Sequence, residues 1–174
     1  MEDNFYGGLE KRIFKQILEE VKGRKEILDL GCGNCELALF LAKKGKSNIV
    51  GVDLNIEENI RKEKNSMKCI KGDVANLNNF MKGTFSAAVT MYALHEFSAP
   101  FQSLKEVFRI LEENGKIVIV DFIKGTLADR LWGERYFTAE KIEKMMKKTG
   151  FKNITSTILS KEGPALLTGI RGVV

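Results

Sequence analysis

An α/β fold, a doubly wound and mostly parallel sheet closed by a C-terminal antiparallel hairpin with helices on both faces, is predicted by three observations. Short apolar runs alternate with segments of helical spacing along most of the chain. The apolar runs are continuous rather than alternating, as in strands buried on both faces. The last two runs stand too close together for a crossover helix between them, so they pair antiparallel. At 174 residues the chain suits one domain.

Leu9, Ile13, Phe14, Ile17, Leu18 and Val21 recur at helical spacing, so the chain opens with an amphipathic helix that ends near Gly23. A strand over Glu26 to Leu30, a glycine-rich turn from Gly31 to Cys35 and a helix around Leu37 to Ala42, stopped by Gly45, form the first strand-turn-helix unit. The pattern repeats as strand Asn48 to Leu54 and helix Ile56 to Asn65, then strand Met67 to Lys71 and short helix Asn76 to Met81. Strand Phe85 to Met91, helix Phe101 to Leu111 and strand Lys116 to Ile123 follow. After helix Ala139 to Thr149 come strands Lys152 to Leu159 and Ala165 to Gly172, joined by the turn-rich Ser160 to Pro164. Parallel strands with right-handed crossovers leave few topologies.

Composition excludes several function classes. No apolar stretch approaches the roughly 18 residues of a membrane span, and Met1-Glu2-Asp3-Asn4 has no apolar signal core, which predicts a cytoplasmic protein. The net charge of +5 is spread evenly, with 15 basic and 13 acidic residues in the first 87 and 13 and 10 in the rest. Lys141, Lys144, Lys147 and Lys148 stand beside Glu140 and Glu143 as a solvated helix face, without the arginine forks and interleaved aromatics of a nucleic-acid surface. Three cysteines without secretory context read as reduced thiols. Cys32-Gly33-Asn34-Cys35 lacks a second C-x-x-C, and the chain has one histidine, so no metal site is expected.

In such a sheet, ligands bind beyond the carboxyl ends of the strands, where the winding reverses. The residues there are Asp29-Leu30-Gly31-Cys32-Gly33, Val52-Asp53-Leu54, Gly72-Asp73-Val74 and Met91-Tyr92-Ala93-Leu94-His95-Glu96. Gly31 and Gly33 let backbone amides approach a ligand. Asp53 follows Gly31 by 22 residues, where a carboxylate accepts hydrogen bonds from a ribose diol. The third glycine of a dinucleotide fingerprint would fall at position 36, which is Glu36; a carboxylate at that helix N-terminus repels a pyrophosphate. A nucleoside without phosphate fits better. S-adenosylmethionine is such a ligand, with ribose on Asp53, adenine on Asp73 and the Val74 amide, and the methionine end near Asp29 and the glycine loop. Cys32, Leu54 and Met91 complete the expected cofactor contacts.

Ile27 to Gly33, Val50-Gly51-Val52-Asp53, Gly72-Asp73, Leu94-His95-Glu96-Phe97 and Leu104 to Leu111 followed by Asn114-Gly115-Lys116 resemble the class I S-adenosylmethionine-dependent methyltransferases, in particular the ubiquinone/menaquinone-biosynthesis type. The resemblance covers roughly residues 25 to 174. It implies a seven-stranded sheet of order 3-2-1-4-5-7-6, a methyltransferase domain over 25–174 and an N-terminal helix over 1–24; Phe5 and Tyr6 as a lid over the sulfonium and as aromatics merely packed near the terminus are both open. Cys35 stands where many members have a third glycine, and Glu113-Asn114-Gly115 replaces the usual Pro-Gly-Gly. The Asn/Asp-Pro-Pro-Tyr signature of adenine-N6 and glutamine methyltransferases is absent, since Met91-Tyr92-Ala93-Leu94 stands there.

The expected activity is transfer of the sulfonium methyl by in-line displacement, in which alignment in a dry cleft is worth on the order of 7 to 11 kcal/mol. His95, the only histidine, and Tyr92 are the candidate catalytic residues, with Glu96 behind them; His95 as base and His95 as packing beside the cofactor are both open. Trp132, Arg135, Tyr136 and Phe137 are expected to shape the acceptor pocket. A small-molecule acceptor is favoured. A short chain with an open cleft also allows an RNA or protein acceptor, or closure by a second copy in a homodimer. A non-catalytic binder of S-adenosylmethionine or S-adenosylhomocysteine is the rival from another class.

Overall fold

The computed structural model describes residues 3–56, 66–159 and 163–172. Seven strands, β1 (Glu26–Leu30), β2 (Asn48–Asp53), β3 (Met67–Lys71), β4 (Phe85–Met91), β5 (Leu111–Asp121), β6 (Phe151–Ile158) and β7 (Ala165–Arg171), form one sheet of order β3-β2-β1-β4-β5-β7-β6. β1 to β5 run parallel, and β7 pairs antiparallel with both β5 and β6. Order and hairpin agree with the sequence reading.

Alternate residues of each strand feed two apolar layers. Ile27, Ile49, Ala87, Val89 and Val118 pack under α1 (Asp3–Glu20), through its Ile13, Phe14 and Ile17, with Val21 just beyond it, and under α2 (Glu36–Gly45). Leu28, Leu30, Ala88, Ile117 and Ile119 pack on the other face against Leu104, Val107 and Ile110 of α3 (Pro100–Ile110) and Ile142 and Met146 of α5 (Ala139–Thr149). Thr138 caps α5 by accepting from the Lys141 amide, and Gly150 ends it at φ 113°. None of the described helices is long and apolar enough to cross a membrane.

Three expectations are corrected. Residues Asn76 to Met81 form turns, not a helix. Asp73 Oδ1 accepts from the Ala75 amide, and the Arg109 guanidinium donates to the carbonyls of Leu77 and Phe80, so a tertiary cation takes the acceptors a helix would need. β5 begins at Leu111 rather than Lys116, because Leu111 already pairs with Phe85 and Asn114 adopts φ 61° within an irregular stretch instead of breaking the strand. A short helix, α4 (Leu127–Trp132), stands in the connection that had no predicted element. The predicted helix Ile56 to Asn65 and most of the Ser160 to Pro164 link lie outside the described residues, as do the side chains of Phe5 and Tyr6.

Candidate active site

The carboxyl ends of β1, β2 and β4 meet at the point where the winding reverses. Gly31 (φ 66°) follows β1 with its amide bonded to the Val52 carbonyl at 2.8 Å, and a Cβ on it would lie 2.5 Å from Ala93 Cβ. Gly33 (φ 49°) has nothing within 4 Å of a virtual Cβ, so it faces open space. Its amide donates to Asp53 Oδ2 at 2.9 Å, while Asp53 Oδ1 accepts from the Asn55 amide at 2.9 Å. The glycine loop and the carboxylate beyond β2 are thereby fixed to each other.

A cleft of about 160 Å³ opens here, lined in part by Asp29, Gly31, Cys32, Gly33 and Met91. Its walls are acidic: Glu10, Asp29 and Glu36 line it, and Asp53 is close enough to act on Asp29. Asp29 is 2% exposed and its Oδ2 has no hydrogen-bond partner. Burial, reinforced by the Asp53 charge and opposed by the Ala38 amide, raises its carboxyl to about 7. A buried, unpaired carboxylate oxygen among other carboxylates fits a cationic group. Leu54, 55% exposed, flanks Asp53, and Asp73 is exposed beside the buried Val74. All nine residues expected to hold the cofactor stand at the ends of β1 to β4.

A second set of side chains lies at the ends of β4 and β5. Tyr92 takes φ 58° and stacks on Phe122, centroids 4.6 Å apart. Phe122 meets Trp132 and Tyr136 edge-on at 5.4 and 6.1 Å. His95, 6% exposed, bonds through both ring nitrogens: Nδ1 to Asp121 Oδ1 at 2.7 Å and Nε2 to Glu134 Oε2 at 2.8 Å. Its backbone amide donates to Asp121 Oδ2, and the Tyr136 hydroxyl donates to Glu134 Oε2 at 3.0 Å. Burial alone would lower the imidazole; Asp121, Glu134 and Glu96 outweigh it and raise it. These contacts favour the protonated imidazole, while burial pushes the partner Asp121 carboxyl up as well.

Asp121 and Glu134 had no place in the sequence reading. The signal for Asp121 was visible as the one charge inside the apolar run Ile117 to Ile123; Glu134, in a loop, left none. Of the acceptor-pocket expectations, Tyr136 and Trp132 join the aromatic cluster, whereas Arg135 donates to the Phe97 carbonyl and Phe137 is buried beside Ile123.

The cysteines overturn the expectation of reduced thiols. Cys35 and Cys69 are joined in a disulfide across 34 residues, because the loop after β1 crosses the middle of β3, a proximity that spacing does not reveal. Among the described residues, two groups bring metal-ligating atoms within 4.8 Å of one another, Cys32 with Cys35 and Cys69, and His95 with Glu96 and Glu134. The first is tied up by the disulfide and the second by the His95–Glu134 bond.

A family model described as a methyltransferase domain matches residues 28–119. The chain is 26% identical to the demethylmenaquinone methyltransferase of Lactobacillus johnsonii over 94% of its own length and 82% of that protein. It is 30% identical to a ubiquinone/menaquinone biosynthesis C-methyltransferase of Citrifermentans bemidjiense over 69% of its length, spanning 56% of that relative. Among solved structures, a [4+2]-cyclase superposes with a TM-score of 0.81 at 20% identity, covering 94% of this chain and 81% of that one. That similarity concerns the fold and leaves chemistry to the site.

Proposed function

The chain belongs to the class I S-adenosylmethionine-dependent methyltransferase family, and on that premise we propose that it methylates a small aromatic acceptor of the quinone class in its reduced, hydroxylated form. The observation that carries the reading is the buried, unpaired Oδ2 of Asp29 at the bottom of an acidic cleft. A dinucleotide would bring phosphate charge to walls lined by Glu10, Asp29 and Glu36, whereas a ligand with an ammonium and a sulfonium brings the complementary sign.

In this reading Asp53 accepts from the ribose, Asp29 takes the methionine ammonium, and the amides of the Gly31-Cys32-Gly33 turn face the carboxylate. Asp73 and the Val74 amide would receive the adenine, with Leu54 and Met91 as the apolar contacts of the cofactor. The bound donor supplies a methyl on a sulfonium, transferred by displacement to leave S-adenosylhomocysteine. The protein's own work is alignment and exclusion of water.

The similarity to a demethylmenaquinone methyltransferase and to a ubiquinone/menaquinone biosynthesis C-methyltransferase supports a quinone-class ring as acceptor. So does the aromatic cluster, in which the 46% exposed Trp132 stands over the buried Phe122 and Tyr136 and offers a ring to a planar acceptor. His95, bonded at both nitrogens, fixes Glu134; Glu134, with 47% of its side chain exposed, would take a proton leaving the acceptor. His95 becomes a base only when Glu134 turns away.

Incubation with methyl-labelled donor and a panel of hydroquinones, RNA and proteins tests this. Label in the hydroquinone fraction is expected. Label confined to RNA or protein identifies a macromolecular acceptor, and label nowhere with S-adenosylhomocysteine binding intact identifies a non-catalytic binder.

A further inference from the structure

We propose that Cys35 and Cys69 form a reversible thiol–disulfide modification site that sets the affinity of the cofactor cleft. The proposal rests on the reading of that cleft as an S-adenosylmethionine site.

Three sulfurs converge beneath the glycine loop. Cys69, in the middle of β3, is fully buried, Cys35 is 3% exposed, and the Cys32 sulfur lies 3.7 Å from that of Cys35. Space is shaped around them: Gly51 on β2 pairs with Cys69, and a Cβ there would lie 2.7 Å from Cys32 Sγ and 2.9 Å from Cys69 Sγ. Cys35 itself takes φ 67° and ψ 23° as the residue before α2, a left-handed conformation that costs a side-chain-bearing residue about 1 to 2 kcal/mol and glycine nothing comparable. A cysteine at a position suited to glycine points to a use for the sulfur.

The loop that carries Cys35 also carries the cleft. The Cys35 amide donates to the Cys32 carbonyl at 2.8 Å, and between them Gly33 donates to Asp53. On the other side, β3 is held by pairing along its whole length to β2. When the bond is broken the two sulfurs retreat to van der Waals contact. β3 is the anchored partner, so the loop moves, and Gly33 and the start of α2 move with it. The bonded form holds the Gly33–Asp53 geometry and is the high-affinity form.

The chemistry balances with small-molecule thiols and disulfides as redox partners. A dithiol's thiolate attacks Cys35 Sγ, forming a mixed disulfide there and releasing Cys69 as a thiolate that takes a proton. The second thiol of the reagent then closes on the first, leaving a cyclic disulfide and a free Cys35 thiol, with two electrons and two protons gained by the protein. Oxidation by a small disulfide reverses this and reduces the oxidant to thiols. Cys32 stays outside the exchange: burial, then the charges of Asp29 and Asp53, hold its thiol protonated and unreactive.

The test is calorimetric titration of the full chain with S-adenosylhomocysteine after equilibration in oxidised or reduced dithiothreitol, with thiols counted under denaturant. One titratable thiol is expected in the oxidised form and three in the reduced form, from three cysteines of which one is unpaired. Affinity should fall about fivefold or more on reduction, and by reciprocity the ligand should make the bond harder to reduce by the same factor. Cys35→Gly, which suits the left-handed position and so leaves folding intact, should bind with one affinity in both buffers. Equal affinity for the native chain in both verified forms overturns the proposal and leaves the proposed function standing. Absence of binding in both forms overturns the two together. Three thiols after oxidation, or zinc released from the protein by a thiol reagent, overturns it in favour of free thiols or of a three-cysteine metal site.

Discussion

The amide of Gly33 donates to Asp53 Oδ2 at 2.9 Å, joining two turns 20 residues apart in the chain. One carboxylate thus orders the glycine loop through one oxygen and its own turn, at the Asn55 amide, through the other. Asp53→Ala should weaken S-adenosylhomocysteine binding by about 1.5 to 3 kcal/mol, the worth of hydrogen bonds to a charged acceptor. Calorimetry checks it, and an unchanged affinity removes Asp53 from the cofactor site.

Asp29 makes binding depend on pH. Its carboxyl is raised to about 7 in the fold against an ordinary 3.8, so below 7 the unliganded site is protonated and an ammonium must displace that proton. Affinity for S-adenosylhomocysteine should rise about tenfold per pH unit as pH approaches 7 from below and then level. Stability runs the other way: the folded chain holds the proton longer than the unfolded one, so Asp29 destabilises progressively from about 4 to about 7. Asp29→Asn should flatten both profiles, read by titration calorimetry and by denaturant unfolding across pH. An affinity independent of pH in the native chain contradicts the assignment.

Gly31 and Gly33 separate folding from binding. Both have positive φ, but an added Cβ meets Ala93 at 2.5 Å in the first and open cleft in the second. Gly31→Ala should lose about 2 to 3 kcal/mol of stability, from strain and overpacking together. Gly33→Ala should lose about 1 kcal/mol yet bind S-adenosylhomocysteine much more weakly, because its methyl occupies ligand space. Equal losses of stability would contradict the packing account.

His95 and Asp121 form a buried pair, and removing one partner strands the other charge. His95→Ala should cost about 3 kcal/mol of stability, whereas Glu134→Gln, altering the exposed partner, should cost about 1 kcal/mol or less. Because the folded His95 value is raised above its ordinary 6.5, its contribution is complete below 6.5 and is lost as pH rises through the folded value. Denaturant unfolding of both variants between pH 6 and 9 checks magnitude and sign. A native chain whose stability does not decline on the alkaline side speaks against the charged imidazole.

The glycine turn and Asp53 were legible because backbone approach and strand-end carboxylates leave local signatures, and continuous apolar runs marked the central strands, though not the mostly exposed β6 or the start of β5. Tertiary chemistry was not. Arg109 sits in helical register in α3 and gives no sign that it reaches the carbonyls of Leu77 and Phe80, where it replaces a predicted helix. Cys35 and Cys69 meet only because a β1 loop passes over β3. Glu134 is one charge in an irregular segment until the fold brings it to His95.

Titration of the purified chain with S-adenosylhomocysteine, with NADH as control, tests the central claim most directly. Binding of S-adenosylhomocysteine in the micromolar range, weakened in Asp53→Ala and absent for NADH, is the result expected of an acidic nucleoside cleft. Binding of NADH with none of S-adenosylhomocysteine would contradict the reading of Asp29, Glu36 and the glycine loop on which the proposed activity depends.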